Sequence, residues 1–118
     1  MRLLPLVTVA VAAASVVAAS APQEVLHGSL QIRGATIVDA PADEPKETHA
    51  AFIIDGSAAK RLYDAIPGKP MEDECLGDGS LRKRAGNLAC VRRAQGGKYE
   101  CDFAIDLRSQ TIEPGRVC

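Results

Sequence analysis

Tryptophan is absent, and the 118 residues hold only two phenylalanines and two tyrosines. So small an aromatic supply argues against stacking platforms for single-stranded nucleic acid, which is not an expected partner. It also leaves a modest core, marginal in a chain this short without covalent help. No Gly-x-Ser-x-Gly elbow, phosphate loop or dinucleotide fingerprint occurs, so the motif signatures of hydrolases and nucleotide enzymes are missing. Histidine appears twice, as His27 and His49, both near the edges of expected elements. No two cysteines have the short spacing of a zinc site. The acidic stretch Glu72, Asp73, Glu74 and Asp78 lacks the Asp-x-Asp-x-Asp-Gly order of a calcium loop. No catalytic residue, metal ligand or cofactor is therefore expected. Charge of one sign is also lacking: 14 basic residues stand against 15 acidic ones, so the overall charge selects no partner.

What is present begins with MRLLPLVTVAVAAASVVAAS, one cation at Arg2 followed by an unbroken apolar and small-residue run. This is the pattern of a cleaved signal peptide over residues 1–20. Cleavage after Ala19 puts Val17 and Ala19 at the recognised positions, and cleavage after Ser20 fits nearly as well. The alternative is an N-terminal membrane anchor, for which the Ala-rich run is near the lower length limit. Loss of Arg2 with the signal takes the net charge from −1 to −2. The expected product is a periplasmic or secreted monomer with no transmembrane segment. Its four cysteines, Cys75, Cys90, Cys101 and Cys118, then read as disulfides. Each bridge contributes about 2–4 kcal/mol, a large share of a small domain's stability.

The remainder divides at residue 48. Residues 21–48 hold one short alternating strand around Leu30 and Ile32, broken at Gly34. The stretch DAPADEPKET follows, a solvated linker or long loop with two prolines and four acids. Residues 49–118 are the expected compact unit. Ala51–Asp55 is a strand, and Ala59, Leu62 and Ile66 then fall at helical spacing. Ser57 is placed as the N-cap, and Pro67-Gly68 ends the helix. Strands follow at Leu81–Arg84, Leu88–Arg93 and Lys98–Leu107, with a further short one around Gln110–Glu113. In the longest, Tyr99, Cys101, Phe103, Ile105 and Leu107 share one face, while Lys98, Glu100, Asp102, Asp106 and Arg108 share the other. One buried face and one wet face describe an antiparallel sheet covered on one side. The expected fold is α+β: a small antiparallel sheet of three to five strands, one short helix on one face, stabilised by disulfides.

Four cysteines allow three pairings. If Gln95-Gly96 is the centre of the loop, Cys90 falls opposite Cys101, Arg92 opposite Tyr99 and Leu88 opposite Phe103. Cys90–Cys101 and Cys75–Cys118 are the favoured pairs. A simple two-residue loop would put Cys90 and Cys101 at a hydrogen-bonded position, and a bulge at the glycine pair would change that.

Six cations stand between Ser80 and Tyr99 with no acid among them. Arg82, Lys83, Arg84, Arg92 and Arg93 are the candidate binding set, for an anionic envelope ligand or a protein partner. Against this stands a solvated sheet face balanced by Glu100, Asp102 and the 72–78 acids. A non-enzymatic binding protein is the expected function, ahead of a structural or accessory envelope protein without a ligand, and ahead of a hydrolase.

Ala58-Ala59-Lys60-Arg61-Leu62-Tyr63, Lys83-Arg84-Ala85-Gly86, Cys90 and Tyr99-Glu100-Cys101 together resemble a pattern of small exported bacterial proteins of unknown function. The resemblance covers about residues 52–107. It implies a periplasmic location and a small α+β fold, and it implies no activity.

Overall fold

The computed structural model describes residue 5, residues 8–17 and residues 20–118. Arg2 and Ala19, on which the signal-peptide reading leans, lie outside the described residues. Among the described residues no helix is long and apolar enough to cross a membrane.

The elements run β1 (His27–Arg33), β2 (His49–Asp55), α1 (Gly56–Ala65), β3 (Met71–Glu72), β4 (Leu81–Ala85), β5 (Leu88–Arg92), β6 (Tyr99–Asp106) and β7 (Thr111–Glu113). All pairings are antiparallel, in the order β1-β2-β6-β5-β4-β3. One edge of β6 is shared: β5 pairs with Tyr99–Asp102, and β7 pairs with Ala104–Asp106. The sheet of seven strands exceeds the three to five expected. Met71–Glu72 is too short for periodicity to reveal. The sheet also opens at His27 rather than at His49, because β1 pairs along the whole of β2. The acidic loop between them is held locally, where Thr36 donates its hydroxyl to Glu44 Oε1 at 2.6 Å.

The helix begins two residues earlier than its pattern suggests. Asp55 is the N-cap and makes no side-chain cap bond, so Ser57 lies inside the helix instead of capping it. Ile66 closes the other end, its N–H donating to Leu62 O at 3.1 Å. Pro67 cannot continue the ladder. Ala58 and Ala59 are buried against the sheet, and their small side chains let the helix axis approach it closely. The core cluster is Ala59, Tyr63, Ile66, Cys90 and Cys101. Around Tyr63, sulfur and aliphatic groups thus fill the space that further aromatic side chains fill in richer cores.

The disulfides are Cys90–Cys101 and Cys75–Cys118. Cys90 and Cys101 face each other across β5 and β6 with Cα atoms 4.0 Å apart, the close spacing of a non-hydrogen-bonded pair. The β5–β6 connection sets this parity. It is a four-residue turn, Ala94–Gly97, closed by Arg93 N–H donating to Lys98 O at 2.7 Å. Gly96 and Gly97 take φ of 75° and 59°, which side chains disfavour. A two-residue loop would have shifted the ladder by one and put the cysteines at the wider position.

The two sheet faces differ from expectation in how they are covered. Tyr99, Cys101, Phe103 and Ile105 do share the helix side. The helix reaches only part of it, and Phe52 and Phe103, stacked at 5.0 Å, stay half-buried. The opposite face is covered at its middle. Asp102 is 3 % exposed and Ala104 fully buried, because the chain after β7 crosses back over them. Gly115 is the point of closest approach: a Cβ there would stand 2.8 Å from Phe103 N and 2.9 Å from Asp102 Oδ1. Cys75–Cys118 ties down the end of this strap.

Candidate functional site

Strand alternation sends the five candidate cations to different places. Lys83 points to the helix side. Its ammonium donates to Ile66 O at 3.0 Å and lies 4.9 Å from the centre of the Tyr63 ring. It thereby satisfies a carbonyl at the helix C-terminus, where a cation is favoured. Arg92, across from Tyr99 on β5, is on that same side and exposed. Arg93 lies 3.5 Å from Glu100 Oε1. Arg82 and Arg84 are on the opposite face. The set therefore does not meet on one rim; only Arg82 and Arg84 stand together.

These two line a cavity of about 80 Å³ with Asp73, Asn87, Asp102, Arg116 and neighbouring apolar side chains under the strap. Such a volume holds several waters or one small anionic group. Its acids are already engaged. Arg116 Nε donates to Asp102 Oδ2 at 2.7 Å, and its Nη1 lies 2.9 Å from Glu100 Oε1. Burial disfavours the Arg116 cation, but Asp102, Glu100 and Asp73 outweigh that and raise its pKa above the ordinary guanidinium value. Asp73, 5 % exposed, accepts the Leu76 N–H at 3.1 Å through Oδ1. Asn87 donates to Ile112 O at 2.8 Å, fixing the β4–β5 turn against β7. Neither Arg82 nor Arg84 has an ion-pair partner among the described residues. Arg84 is exposed and Arg82 half-buried, so the notch opens to solvent at Arg84.

A second polar cluster lies on the same face at the far end of the sheet. His49 begins β2 and pairs in register with Asp106 at the end of β6. Glu113 ends β7, opposite Ala104, and so projects to the same side. The His49 side chain is 2 % exposed as a residue. Its Nε2 lies 3.1 Å from Glu113 Oε2 and 3.6 Å from Asp106 Oδ2. Its Nδ1 shares a 2.7 Å hydrogen bond with Thr48 Oγ1. The backbone N–H groups of Ser109 and Arg108 donate to Asp106 Oδ1 at 3.2 and 2.9 Å. These donors hold the Asp106 carboxyl below its ordinary range, and His49 adds to the effect.

No family model, curated protein or solved structure matches this chain. The site rests on its own geometry. Arg116 and Glu113 escaped the sequence reading because nothing local marks the strap as folding back. The pairing of Cys118 with Cys75 was the one available signal for it.

Proposed function

We propose that the protein is a small exported binding protein that holds a carboxylate or phosphate group at Arg82 and Arg84. One observation carries this reading: two guanidiniums share a strand face and a notch of anion size, and among the described residues neither is ion-paired, the Asp102 carboxylate of that notch being taken by Arg116. Guanidinium presents planar, paired donors that match both oxyanions. The chemistry is that of holding rather than reacting. All four cysteines are paired, so no thiol is free as a nucleophile. Export is supported by the apolar N-terminal run and by the two disulfides, which persist in oxidising compartments. A periplasmic or secreted location and a monomeric state belong to the same reading.

The test measures binding to three probes: inorganic phosphate, a poly-glutamate peptide, and phosphatidylglycerol vesicles against phosphatidylcholine vesicles. The probe bound most tightly identifies the source of the anion. Charge-assisted hydrogen bonds contribute about 1.5–3 kcal/mol each, so Arg84→Glu weakens binding at least tenfold. Arg92→Glu reverses a cation on the other face and leaves it unchanged. Equal losses in the two variants, or no binding to any probe, sink the proposal.

A further inference from the structure

His49, Asp106 and Glu113 bring one ligand atom each to within 4.8 Å of one another. We propose that they form a divalent-metal site, with Zn²⁺ the best-fitting ion. The site stands apart from the arginine notch and does not rest on it.

The donor set suits the ion, since Zn²⁺ takes imidazole nitrogen and carboxylate oxygen alike. The spacing suits it too. Metal–ligand lengths of about 2.0–2.2 Å in a tetrahedral arrangement put donor atoms roughly 3.4 Å apart. The observed Nε2 separations of 3.1 Å and 3.6 Å fall on either side of that value. The groups behind the ligands are placed as metal sites require. Thr48 Oγ1 stands 2.7 Å from Nδ1, where it can accept the Nδ1 proton when Nε2 binds a metal through its lone pair. Asp106 is held through Oδ1 by two backbone N–H groups, which leaves Oδ2 turned to His49. Arg33, opposite His49 on β1, spends a guanidinium N–H on Gly34 O at 2.8 Å. Partial exposure of Asp106 and Glu113 gives an ion a route in and leaves the fourth position to water.

The competing arrangement uses a proton in place of the metal. Thr48 donates to Nδ1, or both ring nitrogens are protonated, and Nε2–H donates to Glu113. Chelator-treated, disulfide-intact protein is titrated with Zn²⁺ by calorimetry and with Co²⁺ by visible absorption. One ion per chain is expected, with the intense absorption of tetrahedral Co²⁺. Glu113→Gln, on a half-exposed side chain, weakens binding at least tenfold and keeps the wild-type circular dichroism. His49→Gln abolishes binding, and His27→Asn leaves it unchanged. Nitrogen-15 shifts of the His49 ring report loss of the Nε2 proton on Zn²⁺ addition. Failure of either metal to bind, or binding undiminished by Glu113→Gln, overturns the assignment. So does an Nε2–H that persists at saturating Zn²⁺.

Discussion

Arg116→Met removes the cation that lies over Asp102, and the structure fixes what that costs. Asp102 is 3 % exposed, beneath the Gly115 backbone, and Arg116 is its ion-pair partner. Removing one member of a buried pair costs about 3–5 kcal/mol, because the remaining charge stays desolvated and unpaired. The Arg116 side chain is itself 39 % exposed, so water partly replaces it, and about 3 kcal/mol is the appropriate figure. Removing the carboxylate instead is less costly. In Asp102→Val the guanidinium keeps Glu100 and its access to solvent, and valine suits a central strand; the expected cost is about 1 kcal/mol. With both replaced, no charge is stranded, and the double variant falls close to Asp102→Val alone. The coupling in the cycle is then about 2–3 kcal/mol. In a domain of this size the Arg116→Met loss is roughly a 15 °C drop in Tm. Urea unfolding followed by far-ultraviolet circular dichroism measures it, with disulfides intact. A cost below about 1 kcal/mol for Arg116→Met, or additive losses in the double variant, refutes the reasoning.

Opening Cys75–Cys118 with a serine pair releases a constraint across 43 residues of sequence separation, for which loop entropy gives about 4 kcal/mol as an upper figure. In that background Arg116→Met adds little in urea unfolding, since the strap no longer holds Arg116 over Asp102. Acid stability carries a second signature. Asp106 and Asp78 both have folded pKa values below the ordinary 3.8, Asp106 chiefly through the Ser109 and Arg108 N–H groups and Asp78 through Ser80. A depressed carboxyl contributes its full stabilisation above the unfolded value, and the contribution is lost as pH falls through the lower folded value. Urea midpoints should therefore fall as the pH drops below about 4, and Asp106→Asn should show a shallower fall there than the wild type.

Local pattern was enough for the hairpin and the helix. Tyr99–Leu107 alternates cleanly enough to assign every side chain of β6 to its face, and the glycine pair located the turn. What alternation cannot supply is the depth of each face. Asp102 reads as a wet strand position, yet it is more buried than Phe103, its neighbour on the apolar side. The cause lies in the strap, whose path is set by a disulfide and by the absence of a side chain at Gly115. Neither leaves a periodic trace. The basic set is divided between faces for a related reason. Arg82, Lys83 and Arg84 are consecutive in a strand, so a single charge run is necessarily divided between two faces. His49, Asp106 and Glu113 come from the start of one strand and the ends of two others, and only register brings them together.

One short segment serves both ends of the outer face. Glu113 faces His49, Gly115 lies on Phe103 and Asp102, Arg116 pairs with Asp102, and Cys118 is joined to Cys75. Only Pro114 and Gly115 separate the proposed metal ligand from the arginine that closes the anion notch. An ion held by Glu113 would restrict the start of the strap just as the disulfide restricts its end. Any ion that binds the folded arrangement and not the unfolded chain stabilises it by mass action. The strap is the element through which such stabilisation reaches Arg116, and through Arg116 the wall of the notch. Coupling between two binding sites is reciprocal. Zn²⁺ and the notch ligand would then each tighten the other's binding by one common factor, and Cys75→Ser with Cys118→Ser would reduce that factor toward one.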